Sequence, residues 1–208
     1  MHAEQRLASE TLFEFLPSPV DAEEGKRLLE ELINQVRWQE DYFVAFHRRF
    51  PIPRLQAWLA DDGIQYSYSN NLLTTQAWSP RLLQLKQQVE QISGCQFNSV
   101  LLTYYRDGED SVDWHADDER ELGDTPWIAS LSLGAERLFQ FRPKPDDQGE
   151  HRKTTPETRE QQILLPHASL LLMRPEFQRQ WQHRVPVQGQ IKIPRINLTF
   201  RRVISRDV

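Results

Sequence analysis

Two segments in the first hundred residues place apolar side chains with the period of an α-helix. In the first, Asp21 precedes a run with apolar residues three or four apart between positions 28 and 36. In the second, Ser79 suits the N-cap, Pro80 suits the first helical position and Gly94 ends the pattern. We therefore expect two helices, both packed against one side of a sheet.

From Phe97 onward the pattern changes to short segments rich in β-branched and aromatic residues, separated by turn formers. Nothing between them has the helical pattern of a βαβ unit, so we expect an antiparallel double sheet or barrel, with a jelly roll as the natural choice. The polar stretch from Pro143 to Gln161 contains three prolines and predicts an exposed loop. The predicted strands are SVLLTYY, WIASLSL, RLFQFR, QQILL, ASLLLM, WQHRV and RINLTFRRV.

Length and composition limit the number of domains and the location. The 208 residues, 38% of them hydrophobic, can bury one core, so we expect a single domain. The first residues lack a basic segment followed by an apolar one, and no apolar run approaches the roughly 20 residues that span a bilayer. The single Cys95 fits a reducing compartment. A cytoplasmic protein with no membrane partner is expected.

The charged residues are unevenly distributed. The formal net charge of −5 excludes a polycation that binds nucleic acid through bulk charge. Residues 105–124 include nine acidic and two basic side chains, whereas residues 174–202 include seven basic and one acidic. A second basic cluster surrounds residues 47–54. An acidic partner could therefore find a local positive face.

The densest acidic stretch is DSVDWHADDE, residues 110–119. If it is extended, His115 and Asp117 face the same side and supply two of the three ligands of a 2-His-1-carboxylate triad, which suits non-haem Fe(II). A chain with six histidines and 30 acidic residues contains about one such pair by chance. An exposed histidine beside a solvated acidic turn is thus the alternative. Asp110 and Asp113 are expected to be turn and surface residues.

The C-terminal segments offer partners for this pair. His183 lies on the predicted strand WQHRV and could be the third ligand. On the last strand, Arg195 and Arg201 share a face with Asn197 and Thr199. Burying two arginines is costly without an anion, and a dicarboxylate would match their guanidinium groups. An edge strand with a solvated arginine face explains the same pattern equally well.

Taken in order, these motifs resemble those of the AlkB family of Fe(II)- and 2-oxoglutarate-dependent dioxygenases. The similarity extends from about Pro53 to Val203. It implies a mostly β (α+β) fold, a double-stranded β-helix (jelly-roll) core with N-terminal helices on one side. The single dioxygenase domain would comprise an extension and helix (1–45), a substrate-lid region and second helix (46–95) and the catalytic core (96–208). The motifs are NSVLLTYYRDGEDSVDWHADDE, IASLSLGAERLFQFR, WQHRVP and RINLTFR.

The resemblance assigns roles to particular residues. The implied iron ligands are His115, Asp117 and His183. The implied 2-oxoglutarate residues are Tyr105, Arg195, Asn197, Thr199 and Arg201, with Arg195 holding the distal carboxylate. The sequence departs from the family at Thr103, where relatives usually have asparagine, so we assign no co-substrate contact to this shorter side chain.

The resemblance also implies contacts to a damaged base. Tyr68 would stack on the base opposite the first iron-ligating histidine, with Tyr66 beside it, although aromatic residues on a strand, including Trp58, more often pack in a core. Asp118 and Glu119 would face the base. Phe46 would act as a wedge and Arg48 as a phosphate contact.

The implied activity is oxidative demethylation of N-alkylated bases, such as 1-methyladenine and 3-methylcytosine, in DNA, and the sequence leaves RNA open as a second substrate. It would use Fe(II), 2-oxoglutarate and O2 and would reverse the damage directly. The substrate would be single-stranded or a base flipped from a duplex, and the enzyme a monomer. A 2-oxoglutarate-dependent hydroxylase of a protein or small molecule is the alternative within enzymes. A binding module that has kept the fold without turnover is the alternative outside them.

Overall fold

Two antiparallel sheets face each other, and two helices cover the outer side of the larger sheet. The computed structural model describes residues 12–45, 47–64, 67–68, 71–72, 74–145 and 160–204. The elements in chain order are β1 (Phe13–Leu16), α1 (Ala22–Gln35), β2 (Gln39–Ala45), β3 (Arg48–Ala60), β4 (Ser67–Tyr68), β5 (Asn71–Leu72), β6 (Thr75–Gln76), α2 (Pro80–Ser93), β7 (Ser99–Tyr105), β8 (Val112–His115), a 3₁₀ turn (Arg120–Leu122), β9 (Ile128–Gly134), β10 (Arg137–Pro143), β11 (Gln161–Leu165), β12 (Ser169–Met173), α3 (Pro175–Gln180), β13 (Trp181–Val185) and β14 (Arg195–Arg201).

The large sheet has the strand order β1-β12-β9-β14-β7-β3-β2, and the short β6 pairs in parallel with β3. The small sheet has the order β11-β10-β13-β8. Strands β4 and β5 form a separate two-stranded ribbon. The last of the described strands, β14, therefore lies in the middle of the large sheet, between β9 and β7.

The two predicted helices form where the sequence indicates them. Asp21 caps α1 by accepting a hydrogen bond from the Glu24 backbone. Ser79 caps α2 through the Leu82 backbone, and Gly94 ends that helix with a φ of 68°, a left-handed conformation that glycine adopts without strain. Both helices bury their apolar faces against the same side of the large sheet, as predicted.

Two apolar layers hold these elements together. The layer between the helices and the large sheet is mainly aliphatic. The layer between the two sheets is aromatic-rich: Phe13, Phe141 and Phe177 meet edge to face with ring centroids 5.3 to 5.8 Å apart. Trp58, on β3, is fully buried in this inter-sheet layer. It is therefore a core residue, one of the two roles open to it from the sequence.

All seven predicted strands are present, with ends that differ from prediction by at most two residues. Several other elements were not predicted, among them the short strands β4, β5 and β6. Strands β1, β2 and β3, from the first 60 residues, extend the large sheet on both edges. An eighth strand, β8, carries the acidic stretch, and the short helix α3 precedes β13. Among the described residues, no helix is both long and apolar enough to span a membrane.

Candidate active site

Rows of polar side chains cross the inner face of the large sheet. Because side chains alternate along a strand, every second residue of β14 points toward the small sheet. Cross-strand register places Arg195 beside Tyr105 of β7 and Asn197 beside Thr103. The four predicted residues of β14, including Thr199 and Arg201, are buried and line one pocket. The inward-facing arrangement is therefore present, and the solvated edge strand is excluded.

The small sheet supplies the opposite wall. His115 is the last residue of β8 and lies directly across from His183 of β13. Their ring centroids are 4.2 Å apart, and Asp117 follows two residues later in the loop. One donor atom from each of these three residues lies within 4.8 Å of the others. The structure thus brings together the three residues predicted as iron ligands, although 68 residues separate the two histidines in the chain.

The surroundings of His115 and His183 favour the neutral form of both imidazoles, which is the form that binds metal ions. The Nδ1 of His115 lies 2.8 Å from the carbonyl oxygen of Asp113. A carbonyl can only accept, so Nδ1 carries the proton and Nε2 keeps its lone pair for the site. His183 is packed against Phe139 and Phe177. Burial lowers the pKa of His183 to about 3 and also lowers the pKa of His115.

Asp117 is held as a buried carboxylate. Arg201 donates a hydrogen bond to its Oδ1 over 2.5 Å, and the Nε2 of His183 is 3.8 Å from Oδ2. Its backbone N–H donates to the Oε1 of Gln178, a fully buried residue of α3. Burial raises the pKa of Asp117, but the charge of the Arg201 guanidinium outweighs it, so the pKa is lowered. The carboxylate is therefore ionised and fixed in orientation.

Arg195 has unused hydrogen-bond donors. Its Nη2 donates to Ser132 Oγ at 3.0 Å and to Asn197 Oδ1 at 2.6 Å. Its Nε and Nη1 are buried and have no hydrogen-bond acceptor within the described part of the chain. Burial lowers the pKa of Arg195 to about 10, which still leaves it charged at neutral pH. The Tyr105 ring lies 5.1 Å from its guanidinium carbon. A buried cation with free donors is suited to binding an anion.

A second buried arginine, Arg137, ties together the two loops that border the site. It donates to the carbonyl oxygens of Asp107 and Asp110 before β8 and to that of Pro186 after β13. Its side chain also lies over the Tyr105 ring, with the guanidinium carbon 5.4 Å from the ring centroid. Arg137 therefore links the strands that carry both predicted histidine ligands.

The expectation that Asp110 is a surface residue is wrong. Its side chain is 6% exposed and forms a bidentate pair with Arg106, at 2.8 Å for both contacts. The Arg106 backbone N–H donates to the same carboxylate at 2.9 Å. Asp113 is exposed, as expected, although its carbonyl orients His115. Asp110 thus uses its charge to close the turn that leads into β8.

The residues predicted to contact a base are only partly described. Asp118 is exposed and forms an ion pair with Lys144 of 2.5 Å, and Glu119 is half-buried. Arg48 is exposed at the start of β3. Phe46, Tyr66 and the side chain of Tyr68 lie outside the described residues; the backbone of Tyr68 belongs to β4.

Several pocket residues were missed from the sequence. Arg54 and Gln56 reach the pocket from β3, and Ser130 reaches it from β9. The alternation of Arg54, Gln56 and the buried Trp58 was a usable signal, because residues two apart on a strand share a face. Gln178 gave no signal, because α3 is only six residues long and its contact with Asp117 spans 61 residues.

The donors in this pocket fit a metal ion together with a dicarboxylate. Two neutral imidazoles and one carboxylate on one side leave coordination positions open and suit Fe(II). The unpaired donors of Arg195 suit a carboxylate on the other side of the same pocket.

The architecture is shared with known structures. The structure of OsALKBH1 has a TM-score of 0.59 at 12% identity and covers 91% of this chain and 97% of its own. An oxidoreductase of the 2OG-Fe(II) oxygenase family from Burkholderia pseudomallei has a TM-score of 0.55 at 13% identity, over 92% of this chain and 85% of its own.

Sequence comparison gives closer relatives. The alpha-ketoglutarate-dependent dioxygenase alkB homolog 3 of Bos taurus is 42% identical over 90% of this chain. The chain spans 64% of that relative's length. The DNA oxidative demethylase ALKBH2 of Mus musculus is 36% identical over 86% of this chain and 77% of its own length. The family model for the 2OG-Fe(II) oxygenase superfamily matches residues 13–201. The chain therefore belongs to the 2OG-Fe(II) oxygenase superfamily and, within it, to the AlkB family.

Proposed function

We propose that this protein is a 2-oxoglutarate-dependent dioxygenase that demethylates N-alkylated bases in nucleic acid. The observation that carries the proposal is one pocket with two complementary ends. A cluster of His115, Asp117 and His183 forms one end, and the buried guanidinium of Arg195, with two unused donors, forms the other. This combination serves a metal and a dicarboxylate at once. A plain metal-binding jelly roll would not require Arg195.

The chain's residues would position the reactants. Arg195 and Tyr105 would bind the distal carboxylate of 2-oxoglutarate, which fixes the rest of that molecule toward the metal ligands. The bond from His115 to the Asp113 carbonyl keeps Nε2 unprotonated, and Arg201 keeps Asp117 ionised. When bound, Fe(II) supplies the chemistry by which O2 hydroxylates an N-methyl group while 2-oxoglutarate is converted to succinate and CO2. The hydroxymethyl group then leaves as formaldehyde.

The nucleic-acid substrate is supported by relatives and by local charge. One relative carries the name DNA oxidative demethylase. Exposed basic side chains occur at the start of β3, where Arg48 and Arg49 lie, although the net charge is −5. A base in a duplex would have to be flipped out, whereas a base in a single strand would enter directly. We include in the proposal that the enzyme is monomeric and cytoplasmic and that 1-methyladenine and 3-methylcytosine are its substrates.

The test is mass spectrometry of a short single-stranded DNA with one 1-methyladenine or 3-methylcytosine, after incubation with the protein, Fe(II), 2-oxoglutarate and O2. We expect loss of one methyl group, which requires 2-oxoglutarate and is absent in His115→Ala. The same oligonucleotide without the methyl group should be unchanged in mass.

Two other outcomes would reject parts of the proposal. If 2-oxoglutarate is converted to succinate while every methyl group stays in place, the nucleic-acid assignment fails and a protein or small-molecule hydroxylase replaces it. If the wild-type protein neither binds nor consumes 2-oxoglutarate, the dioxygenase assignment itself fails.

A further inference from the structure

A row of polar side chains crosses four strands on the floor of the pocket. Gln56 of β3 is paired in register with Thr103 of β7, Thr103 with Asn197 of β14, and Asn197 with Ser132 of β9. All four residues are buried, and Gln56 is only 1% exposed. Four consecutive polar positions inside a sheet are unfavourable unless their hydrogen bonds are formed. Each of these four side chains therefore needs hydrogen-bond partners in the protein or in a bound ligand.

The hydrogen-bonding groups of the Asn197 side chain all have partners within the protein. Its Oδ1 accepts hydrogen bonds from Ser130, Ser132 and Arg195, and its Nδ2 donates to Thr199. The Gln56 carboxamide differs, because it has no hydrogen bond to any residue in the described part of the chain. It lines the pocket instead. Gln56 thus presents an amide N–H and an amide oxygen to whatever occupies the pocket.

The position of Gln56 indicates what that occupant is. Through Thr103, Gln56 shares a row with Asn197, which lies two residues from Arg195 and four residues from Arg201 along β14. Arg201 contacts the metal-ligand residue Asp117. A dicarboxylate that extends from Arg195 to the metal cluster must therefore pass the row of Gln56. The side chain of the neighbouring Thr103 is short, so the amide of Gln56 extends further into the pocket as a hydrogen-bond donor.

We propose that Gln56 binds 2-oxoglutarate by donating its amide N–H to a carboxylate oxygen of the co-substrate. The inference rests on the proposed dioxygenase function and adds a co-substrate residue to it. An uncharged donor suits this position, because the charge of the distal carboxylate is matched by Arg195 and a further cation is not needed. Its amide would supply a donor beside the shorter side chain of Thr103, the adjacent residue in register.

The test measures binding without turnover. Calorimetry of 2-oxoglutarate binding to the full chain loaded with Mn(II), with oxygen excluded, is done for wild type and for Gln56→Leu, which removes both polar atoms at nearly constant volume. We expect roughly tenfold weaker 2-oxoglutarate binding in Gln56→Leu and a larger loss in Gln56→Glu, whose carboxylate repels the ligand. Mn(II) binding in the absence of 2-oxoglutarate should be unchanged in both.

A matched control and a rescue separate this role from a purely structural one. Gln162→Leu changes an exposed glutamine of β11 and should bind 2-oxoglutarate as wild type does. Adding Thr103→Asn to Gln56→Leu restores an amide at the adjacent register position and should recover most of the affinity. Equal 2-oxoglutarate affinity in wild type and Gln56→Leu would overturn the inference, as would a parallel loss of Mn(II) binding. Absence of 2-oxoglutarate binding in the wild type would instead reject the proposed function.

Discussion

At the scale of single residues, the site depends on buried charges whose partners are fixed. Asp117 is paired with Arg201, whereas the Nε and Nη1 of Arg195 have no acceptor among the residues that the structure describes. Leaving such donors unpaired is unfavourable, so the free protein is less stable here than the ligand-bound one. Under the proposed function, a bound carboxylate would accept hydrogen bonds from these donors. Substitutions at these residues should therefore affect ligand affinity more than fold.

Replacing Arg195 with lysine should weaken 2-oxoglutarate binding and leave metal binding unchanged. Lysine keeps the positive charge but loses the planar pair of donors that matches a carboxylate. Hydrogen bonds to charged groups contribute about 1.5–3 kcal/mol, so we expect a loss of roughly 10- to 150-fold. Calorimetry of 2-oxoglutarate with the Mn(II)-loaded protein measures it. Arg202→Lys, at the exposed neighbouring arginine, is the control and should show no loss.

Replacing Gln178 with methionine should weaken metal binding. The change removes the acceptor for the Asp117 backbone N–H, which is buried and orients the carboxylate. Loss of a group that orients a metal ligand typically costs about 10- to 100-fold in metal affinity. Competition with a fluorescent chelator gives the Mn(II) affinity. Gln180→Met, two residues away and exposed, should match wild type; equal losses in the two variants would show that the effect comes from α3 rather than from Asp117.

The sequence predicts residues of this kind unevenly. The residues of β14 follow from alternation, because every second side chain of a strand points to the same face. His115 and Asp117 do come together, although Asp117 lies in the loop after β8 and not on the extended strand that was assumed. Gln178 and Arg137 do not follow, because their contacts span 61 and 27 or more residues and depend on where two loops meet. The burial of Asp110 was not predicted, because it depends on the ion pair with Arg106. A count of charged residues along the sequence does not show which of them form pairs.

At the scale of elements, the helices are specified locally and β3 is not. The caps of α1 and α2 lie next to the residues they cap, so the sequence shows them directly. Strand β3 contains Pro51 and Pro53, which usually exclude a central strand. They are tolerated because the pairing with β2 shifts register between Glu40 and Tyr42, next to the prolines. That irregularity depends on both strands.

The N-cap of α2 should contribute measurably to stability. Ser79→Ala removes the acceptor for the Leu82 backbone N–H and should lower the free energy of unfolding by about 1 kcal/mol. Urea denaturation measures the change. Ser79→Asp keeps an acceptor and adds a negative charge at the helix N-terminus, so it should retain the wild-type stability. A loss in the aspartate variant equal to that in the alanine variant would contradict the cap assignment.

The turn between β7 and β8 should be sensitive to acid through Asp110. Burial raises the pKa of Asp110, but the hydrogen bonds from Arg106 outweigh it, so the pKa is lowered. A carboxyl group whose pKa is lowered in the folded state stabilises the fold when the pH is above its pKa in the unfolded chain, near 3.9. This contribution is lost as the pH falls through its pKa in the folded protein.

Asp110→Asn, which cannot ionise, should therefore be about 1.5–3 kcal/mol less stable than wild type at pH 7. The difference should persist down to about pH 5 and shrink below pH 4. Urea denaturation between pH 7 and pH 3 tests this. Asp113→Asn, at an exposed aspartate of the same stretch, should show a much smaller difference. A difference for Asp110→Asn that does not change with pH would contradict the role of its charge.

At the scale of the whole molecule, the two candidate binding groups lie on different sheets. The predicted metal-ligand histidines belong to the small sheet, whereas Arg195, Tyr105 and Gln56 belong to the large sheet. Under the proposed function, a metal and a dicarboxylate bound in this pocket would connect the two sheets. Occupation of the pocket should stabilise the fold as a unit rather than one sheet alone.

Thermal denaturation with ligands tests this connection. With Mn(II) and 2-oxoglutarate each at about 100 times its dissociation constant, the dicarboxylate should add about 2.7 kcal/mol beyond the metal. For a chain of 208 residues this corresponds to a rise in Tm of about 5 to 10 °C. In Arg195→Lys the metal should still raise Tm, while 2-oxoglutarate should add much less. A full 2-oxoglutarate effect in that variant would show that Arg195 does not make the connection.

The position of β14 has a consequence for synthesis of the protein. Of the described strands, β14 is synthesised last, yet it pairs with both β7 and β9 in the middle of the large sheet. Until residue 201 has emerged, a nascent chain has two unpaired strand edges facing each other and lacks Arg195 and Arg201. Such edges attract other chains, so premature termination should yield aggregates instead of a smaller folded fragment. A chain that stops before residue 195 also lacks the guanidinium that, under the proposed function, would bind 2-oxoglutarate.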